Sequence, residues 1–288
     1  MRVIRAEAMG MCFGVRDALQ TLDTLSNPED ITIYGELVHN EHVNTALAQR
    51  GFTTLQEGKR SGSDLAANVV ITAHGISNSE RRHLLAQGKT LIDTTCPLVQ
   101  RVHDTAIKLE SDGWFIIVLG QPQHVEVRGI TGDLTSYAVV SSKADVRTFP
   151  HERIAILCQT TTRPQAAEEL TSAIYDANPH SKVRYVDTIC RPTRDRQLAA
   201  ERLVEQVDAL VVVGGKHSNN TRQLVTLAQL RGLPVTHVQS AADLEPVWFT
   251  PFHTVGVTAG TSTLPETIEG VCNALESMSE SAPLVSSF

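Results

Sequence analysis

Three units of one α/β plan, related by a pseudo-threefold axis, are what the 288-residue sequence predicts. Short apolar runs alternate with helix-period segments and end in Gly, Ser, Thr, Asn or His, which is the pattern of strands leading into functional loops. Three segments share an order of strand, cysteine and helix: VIRAEAMGMCFGVRDAL, TLIDTTCPLVQRVHDTAI and VRYVDTICRPTRDRQLAAERL. A histidine just past a strand follows Cys12, Cys96 and Cys190 at 27, 28 and 27 residues, at His39, His124 and His217. Self-similarity at so regular a spacing is the mark of a repeated architecture.

Each unit then reads as cysteine, helix, strand, polar loop, helix, strand, polar loop, helix. The first, residues 12–95, carries His39 in one polar loop and Thr72-Ala73-His74-Gly75 in the other, and closes on a strand ending in Asp93-Thr94-Thr95. The second, 96–189, has the run Phe115-Ile116-Ile117-Val118-Leu119 before His124. It then carries Cys158-Gln159-Thr160-Thr161 and the stem Asp187-Thr188-Ile189 before Cys190. The third, 190–277, has the run Ala209 to Val213 before His217 and then Thr258-Ala259-Gly260-Thr261-Ser262. Its closing strand is missing, and the N-terminal segment 1–11, with a strand at Arg2 to Arg5 ahead of Cys12, is expected to supply it. Residues 278–288 read as a loose tail.

Ligands of open α/β sheets sit beyond the carboxyl ends of the strands. Three such units facing one axis would bring three cysteines and six polar loops to a central cavity. Pro97 and Pro192 stand just after Cys96 and Cys190, in early helical positions that proline favours. The positive end of a helix dipole favours thiolate, the metal-binding form. Three thiolates at one point suit an iron–sulfur cluster or a metal with an open position. Zinc ribbons need ligand pairs two to four residues apart, and none is present. The alternative is three unrelated buried thiols, which is how Cys158 and Cys272 read. His39, His74, His124, Ser218, Asn219, Asn220 and Ser262 lie in the polar loops, and such donors beside helix N-termini cradle a diphosphate. Glu126 is a candidate proton donor if desolvated, and otherwise a solvated loop carboxylate. His83, His103, His151, His180, His237 and His253 read as ordinary surface or core histidines.

Composition removes several classes. A net charge of −7 and a pI near 5.9 argue against general nucleic-acid binding. No apolar run approaches the roughly 20 residues needed to span a bilayer. Five cysteines without an export signal point to reduced thiols and a cytoplasmic setting. No GxGxxG follows a strand, and Gly214-Gly215-Lys216-His217 lacks the upstream glycine of a Walker A loop. Electrons for any reduction would therefore come from another protein.

At these residues the sequence resembles the 4-hydroxy-3-methylbut-2-enyl diphosphate reductase family of the methylerythritol phosphate route to isoprenoids. The matching segments are GMCFGV, ELVHNEHV, TAHGIS, DTTCPLVQRVH, HVEVRGITG, QTT, DTIC, RQ at 196–197, VVVGGKHSNNT and GVTAGTS, spread over nearly the whole chain. The resemblance implies a trefoil of three α/β units around a [4Fe–4S] cluster held by Cys12, Cys96 and Cys190, with the fourth iron open to the substrate's allylic hydroxyl. It implies that His39, His74, His124, Ser218, Asn219, Asn220 and Ser262 grip an allylic diphosphate. It also implies that Thr160 and Glu126 lie near the hydroxyl, and that reduced ferredoxin or flavodoxin supplies electrons. No nucleic acid or membrane enters this reading.

Several positions depart from the family pattern. His-Pro-Glu-Val has become His124-Val125-Glu126-Val127, and Ser-Ser-Asn has become Ser218-Asn219-Asn220. Cys-x-Ala-Thr is Cys190-Arg191-Pro192-Thr193, and Gly-Ala-Ser-x-Pro is Gly260-Thr261-Ser262-Thr263-Leu264. The rival readings are a paralogue reducing another allylic diphosphate and a non-enzymatic iron–sulfur sensor.

Overall fold

Strands and helices alternate along the whole chain. β1 (Arg2–Arg5) precedes α1 (Phe13–Asp23), β2 (Ile31–Ile33), α2 (Glu41–Gln49), β3 (Thr53–Thr54), β4 (Asn68–Ile71), α3 (Asn78–Ala86) and β5 (Thr90–Asp93). The order returns in α4 (Pro97–Ser111), β6 (Phe115–Leu119), α5 (Val125–Thr131), β7 (Tyr137–Val140), β8 (Arg153–Cys158), α6 (Pro164–Ala177) and β9 (Lys182–Tyr185). It returns again in α7 (Arg191–Val204), β10 (Ala209–Val213), α8 (Asn219–Leu230), β11 (Val235–Val238), α9 (Pro246–Phe249), β12 (Thr254–Ala259) and α10 (Pro265–Glu280). The structure, a computed structural model, describes residues 1–55 and 65–280.

The strands form three four-stranded sheets, ordered β3-β2-β4-β5, β7-β6-β8-β9 and β11-β10-β12-β1, and every pairing is parallel. The protein is thus an α/β fold of three similar units. In each sheet the first strand of a unit and its third lie side by side, the second takes one outer edge, and the strand leading to the cysteine takes the other. β1 occupies that last place beside β12, with Arg2 opposite Thr254 and Arg5 opposite Val257. Contacts divide the chain into two compact bodies, Met1–Cys12 with Arg191–Phe288, and Phe13–Cys190. The first holds the β10 sheet and the second holds the other two.

The apolar runs become central strands because both their faces are covered, which only a parallel sheet flanked by helices provides. Along β10, Ala209, Val211 and Val213 pack with Val271 and Leu275 of α10, while Leu210 and Val212 pack with Leu203 of α7 and Leu224 of α8. β6 divides the same way, Ile116 and Val118 to one core, Ile117 and Leu119 to the other. This two-residue alternation is the strand period itself. The edge strands β3, β7 and β11 lie outside the plan read from the sequence. β3 has two exposed residues, and β7 and β11 are mostly half-exposed, so none shows as an unbroken apolar run.

One boundary needs correction. α10 continues to Glu280, so residues 278–280 are helical and not part of a tail; 281–288 lie outside the described residues. Among the described residues no helix is long and apolar enough to cross a membrane.

Close approach at the strand ends requires glycine at Gly260, where a Cβ would overlap the Thr221 hydroxyl and come within 3.3 Å of the Thr221 Cα. Gly260→Ala is predicted to lower the unfolding free energy by about 1–3 kcal/mol, the usual range for overpacking, read as the midpoint of urea unfolding. An unchanged midpoint would mean that the loop yields freely.

Candidate active site

In a sheet of this order the connections leave the two inner strands in opposite directions, and the crevice between them is where open α/β sheets bind ligands. The six polar loops singled out in the sequence are the loops at these three crevices. In each sheet a contact joins the two loops.

In the first sheet the loops after β2 and β4 present His39 and His74, whose rings stack at 4.2 Å between centroids. His124, from the loop after β6, meets them edge-on at 5.0 and 5.6 Å. Asn40 caps α2 by accepting the N–H groups of His42 and Val43, which fixes the turn carrying His39. Nδ1 of His39 donates to the Glu36 carboxylate at 2.9 Å. His124 caps α5, its Nδ1 accepting the Glu126 N–H at 3.1 Å. That bond places the proton of a neutral His124 on Nε2, which makes Nε2 a donor. α5 starts at Val125 without the proline that the family pattern would place there.

In the second sheet Glu126 faces the loop after β8. Its carboxylate accepts the Thr160 N–H at 2.6 Å and the Thr160 hydroxyl at 2.9 Å. Glu126 is 2% exposed, and burial pushes its pKa up to about 7 against the opposing pull of the Thr160 bonds and the nearby His39. A carboxyl poised there can hold or release a proton at neutral pH. It is not the solvated loop carboxylate of the alternative reading. Gln159, fully buried, accepts the Gln121 N–H through Oε1, and its Nε2 has no partner among the described residues.

In the third sheet Ser218 caps α8 by accepting the Thr221 N–H, leaving its own O–H to donate. Asn219, Asn220 and Ser262 are buried. Asn220 accepts the Thr261 N–H at 3.0 Å and donates to the Thr193 hydroxyl at 3.3 Å, so one N–H of its amide remains for a ligand. His217, picked out by spacing, is exposed, and the inward position falls to Ser218. The family proline missing at Leu264 stands one place on, as Pro265 at the start of α10.

The three cysteines occupy matching places, each directly before a helix. The Cys96 N–H donates to Ala73 O at 3.1 Å, that of Cys190 to Thr160 O at 3.0 Å and that of Cys12 to Thr261 O at 3.0 Å. Each acceptor lies in the loop after the third strand of its unit. Cys12, Cys96 and Cys190 are half-buried, whereas Cys158 and Cys272 are buried. A Cβ on Gly14 would come 2.6 Å from Cys96 Sγ, so this glycine keeps a cradle open around the thiol. Among the described residues no three His, Cys, Asp or Glu side chains could hold one metal ion.

Sequence reasoning missed Glu36, Gln159 and Thr193 as parts of the site. Glu36 and Gln159 lie inside the quoted segments ELVHNEHV and QTT, whereas Thr193 carried no signal beyond its place three residues after Cys190.

Fold and site define an α/β protein of three similar units, each with a cysteine tied to a polar crevice. The sequence matches the LytB protein family over residues 3–276, and the chain belongs to that family. It is 33% identical over 292 residues to a 4-hydroxy-3-methylbut-2-enyl diphosphate reductase of Opitutus terrae, covering 96% of this chain and 100% of the relative. It is 32% identical over 292 residues to the reductase of the same name from Aquifex aeolicus, covering 99% of each. The solved (E)-1-hydroxy-2-methyl-but-2-enyl-4-diphosphate reductase of Plasmodium falciparum superposes with a TM-score of 0.88 at 26% identity, over 95% of this chain and 87% of that one.

Because folding favours the protonated Glu126 carboxyl, its stabilisation is complete below about pH 4.5 and is lost as pH rises through about 7. Glu126→Gln, which cannot ionise, is therefore predicted to gain on the order of 2–3 kcal/mol over the parent between about pH 5 and 8. Urea unfolding across that range checks this, and a pH-independent difference would contradict a buried, raised carboxyl.

Proposed function

We propose that the protein is a 4-hydroxy-3-methylbut-2-enyl diphosphate reductase, an oxidoreductase that replaces the allylic hydroxyl of its substrate with hydrogen. Two electrons and two protons enter, water leaves, and isopentenyl and dimethylallyl diphosphates result. The observation that carries this reading is the Glu126–Thr160 pair beside the three-histidine cluster. A buried proton store next to convergent donors suits an anionic substrate that must be protonated as it loses oxygen, and an iron–sulfur sensor needs neither.

Cys12, Cys96 and Cys190 are the residues that would hold a [4Fe–4S] cluster. Bound there, the cluster would supply electrons and a Lewis-acidic iron for the hydroxyl oxygen. The remaining work belongs to the chain's own groups. His39, His74 and His124 grip the diphosphate together with Ser218, Asn219, Asn220 and Ser262, and hold the carbon skeleton in one pose. His124 contributes Nε2–H, since its capping bond makes Nδ1 the acceptor. Thr160 orients the Glu126 carboxyl through two hydrogen bonds; once Glu126 is protonated the hydroxyl bond reverses, so that Thr160 passes its proton toward the departing oxygen and takes the Glu126 proton in its place. Glu126 is itself 2% exposed, which keeps bulk water from its carboxyl. Electrons come from a reduced ferredoxin or flavodoxin, and the enzyme works in the cytoplasm, where thiols stay reduced.

Anaerobic assay of the reconstituted protein with the hydroxylated diphosphate and a chemical reductant tests the reading. Both diphosphate products are expected. Glu126→Gln should keep its iron yet lose about 10²-fold or more in kcat, whereas Cys96→Ser should lose the brown colour. A loaded cluster with no turnover on this substrate would reject the assignment.

A further inference from the structure

The three cysteine turns share one backbone tie but are braced in different ways. Before Cys96, Asp93 accepts the N–H of Thr95 at 3.0 Å and its hydroxyl at 2.6 Å. Before Cys190, Asp187 accepts the Ile189 N–H at 3.1 Å. Both aspartates stand three residues ahead of their cysteine, and each closes the chain into a compact turn. Three residues ahead of Cys12 stands Met9, which has no oxygen to offer. There Gly10 takes φ +73°, and a Cβ on it would come 2.5 Å from Ile268 Cδ1.

That turn is gripped from outside. Arg196 of α7 donates through Nε to Gly10 O at 2.8 Å and through Nη2 to Met11 O at 3.2 Å. A third bond, from Nη1 to Pro192 O at 3.0 Å, anchors the guanidinium to its own helix. Arg196 is 9% exposed, so these charge-assisted bonds form largely out of water, where they are strongest. The two carbonyls belong to the residues directly before Cys12, whose N–H is already fixed to Thr261 O. A guanidinium holds two adjacent carbonyls with one rigid fork, which lysine's single ammonium cannot do.

We propose that Arg196 is the positioning residue for Cys12, replacing by an external clamp the aspartate brace of the other two turns. The permanent charge of Arg196 also stabilises negative charge at the centre that Cys12 helps to hold, so its loss makes that centre harder to reduce. The proposal rests on Cys12 being a cluster ligand, but its first test does not.

In metal-free, reduced protein, the alkylation rate of each cysteine by iodoacetamide is followed by peptide mass spectrometry. In Arg196→Gln, the Cys12 rate extrapolated to full thiolate ionisation from its pH dependence should be about tenfold faster, as loss of charge-assisted bonds would allow, while those of Cys96 and Cys190 stay within about twofold of the parent. Asp93→Ala should show the reverse selectivity, accelerating Cys96 alone. A general loss of packing would raise all three rates together, and that result, or an unchanged Cys12 rate, overturns the proposal. Arg196→Lys, which keeps the charge, covers the case in which Arg196→Gln does not fold. Its Cys12 rate should fall between the other two, and a rate equal to the parent's also overturns the proposal. In the reconstituted protein, the midpoint potential should drop in Arg196→Gln and be largely restored in Arg196→Lys. If Cys12→Ser retained all its iron while the labelling contrast stood, the ligand assignment would fail and the clamp would survive.

Discussion

A single backbone hydrogen bond, made three times, organises this molecule. The amide of each cysteine that precedes a helix is bonded to a carbonyl in the crevice loop of its own sheet, Ala73, Thr160 or Thr261. The bond leaves each thiol at a fixed offset from the loop that carries His74, Thr160 or Ser262. Within each sheet, the cysteine proposed to hold iron and the loop proposed to bind substrate are therefore tied together. A shift of the crevice loop moves the thiol with it, which is why close-packed glycines such as Gly14 and Gly260 stand where the two parts meet. The sheet order supports the arrangement, since only the strands flanking the crevice send out loops that face each other.

On that framework the electrostatics are divided between neighbouring groups. Glu126 is buried enough that its proton is retained to about pH 7, yet its two bonds to Thr160 and the nearby His39 keep the ionised form within reach. His39 has its own carboxylate, Glu36, on Nδ1, which fixes the orientation of the ring. His124 is committed through Nδ1 to the α5 cap. At the Cys12 turn the charged group is a guanidinium, which Arg196 sets on the carbonyls of Gly10 and Met11.

Much of this was legible in the chain because the repeated features are side chains of rare type. The stems before Cys96 and Cys190 and the cysteine-to-histidine spacings exposed the three units. The missing third closing strand pointed to Arg2–Arg5, which pairs with β12. The edge strands were illegible because they are short and partly exposed, with Thr53–Thr54 the extreme case. The braces were illegible for another reason. Arg196 meets Gly10 across 186 residues and Asn220 meets Thr261 across 41, and no local pattern encodes such contacts. His217 shows the limit of spacing alone, since it keeps the interval but points outward while Ser218 turns in. Val125 and Pro265 show that the helix starts survive a lost or shifted proline, because the cap or the neighbouring residue carries the start.

The central claim is that three equivalently tied thiols hold a cluster and leave one iron for the substrate. Mössbauer spectroscopy of ⁵⁷Fe-reconstituted protein tests it most directly. Cys12, Cys96 and Cys190 as ligands predict a subset of iron with thiolate-type parameters and one distinct iron whose parameters change when the hydroxylated diphosphate is added. Iron sites that all respond alike, or a spectrum indifferent to that ligand, would contradict the account.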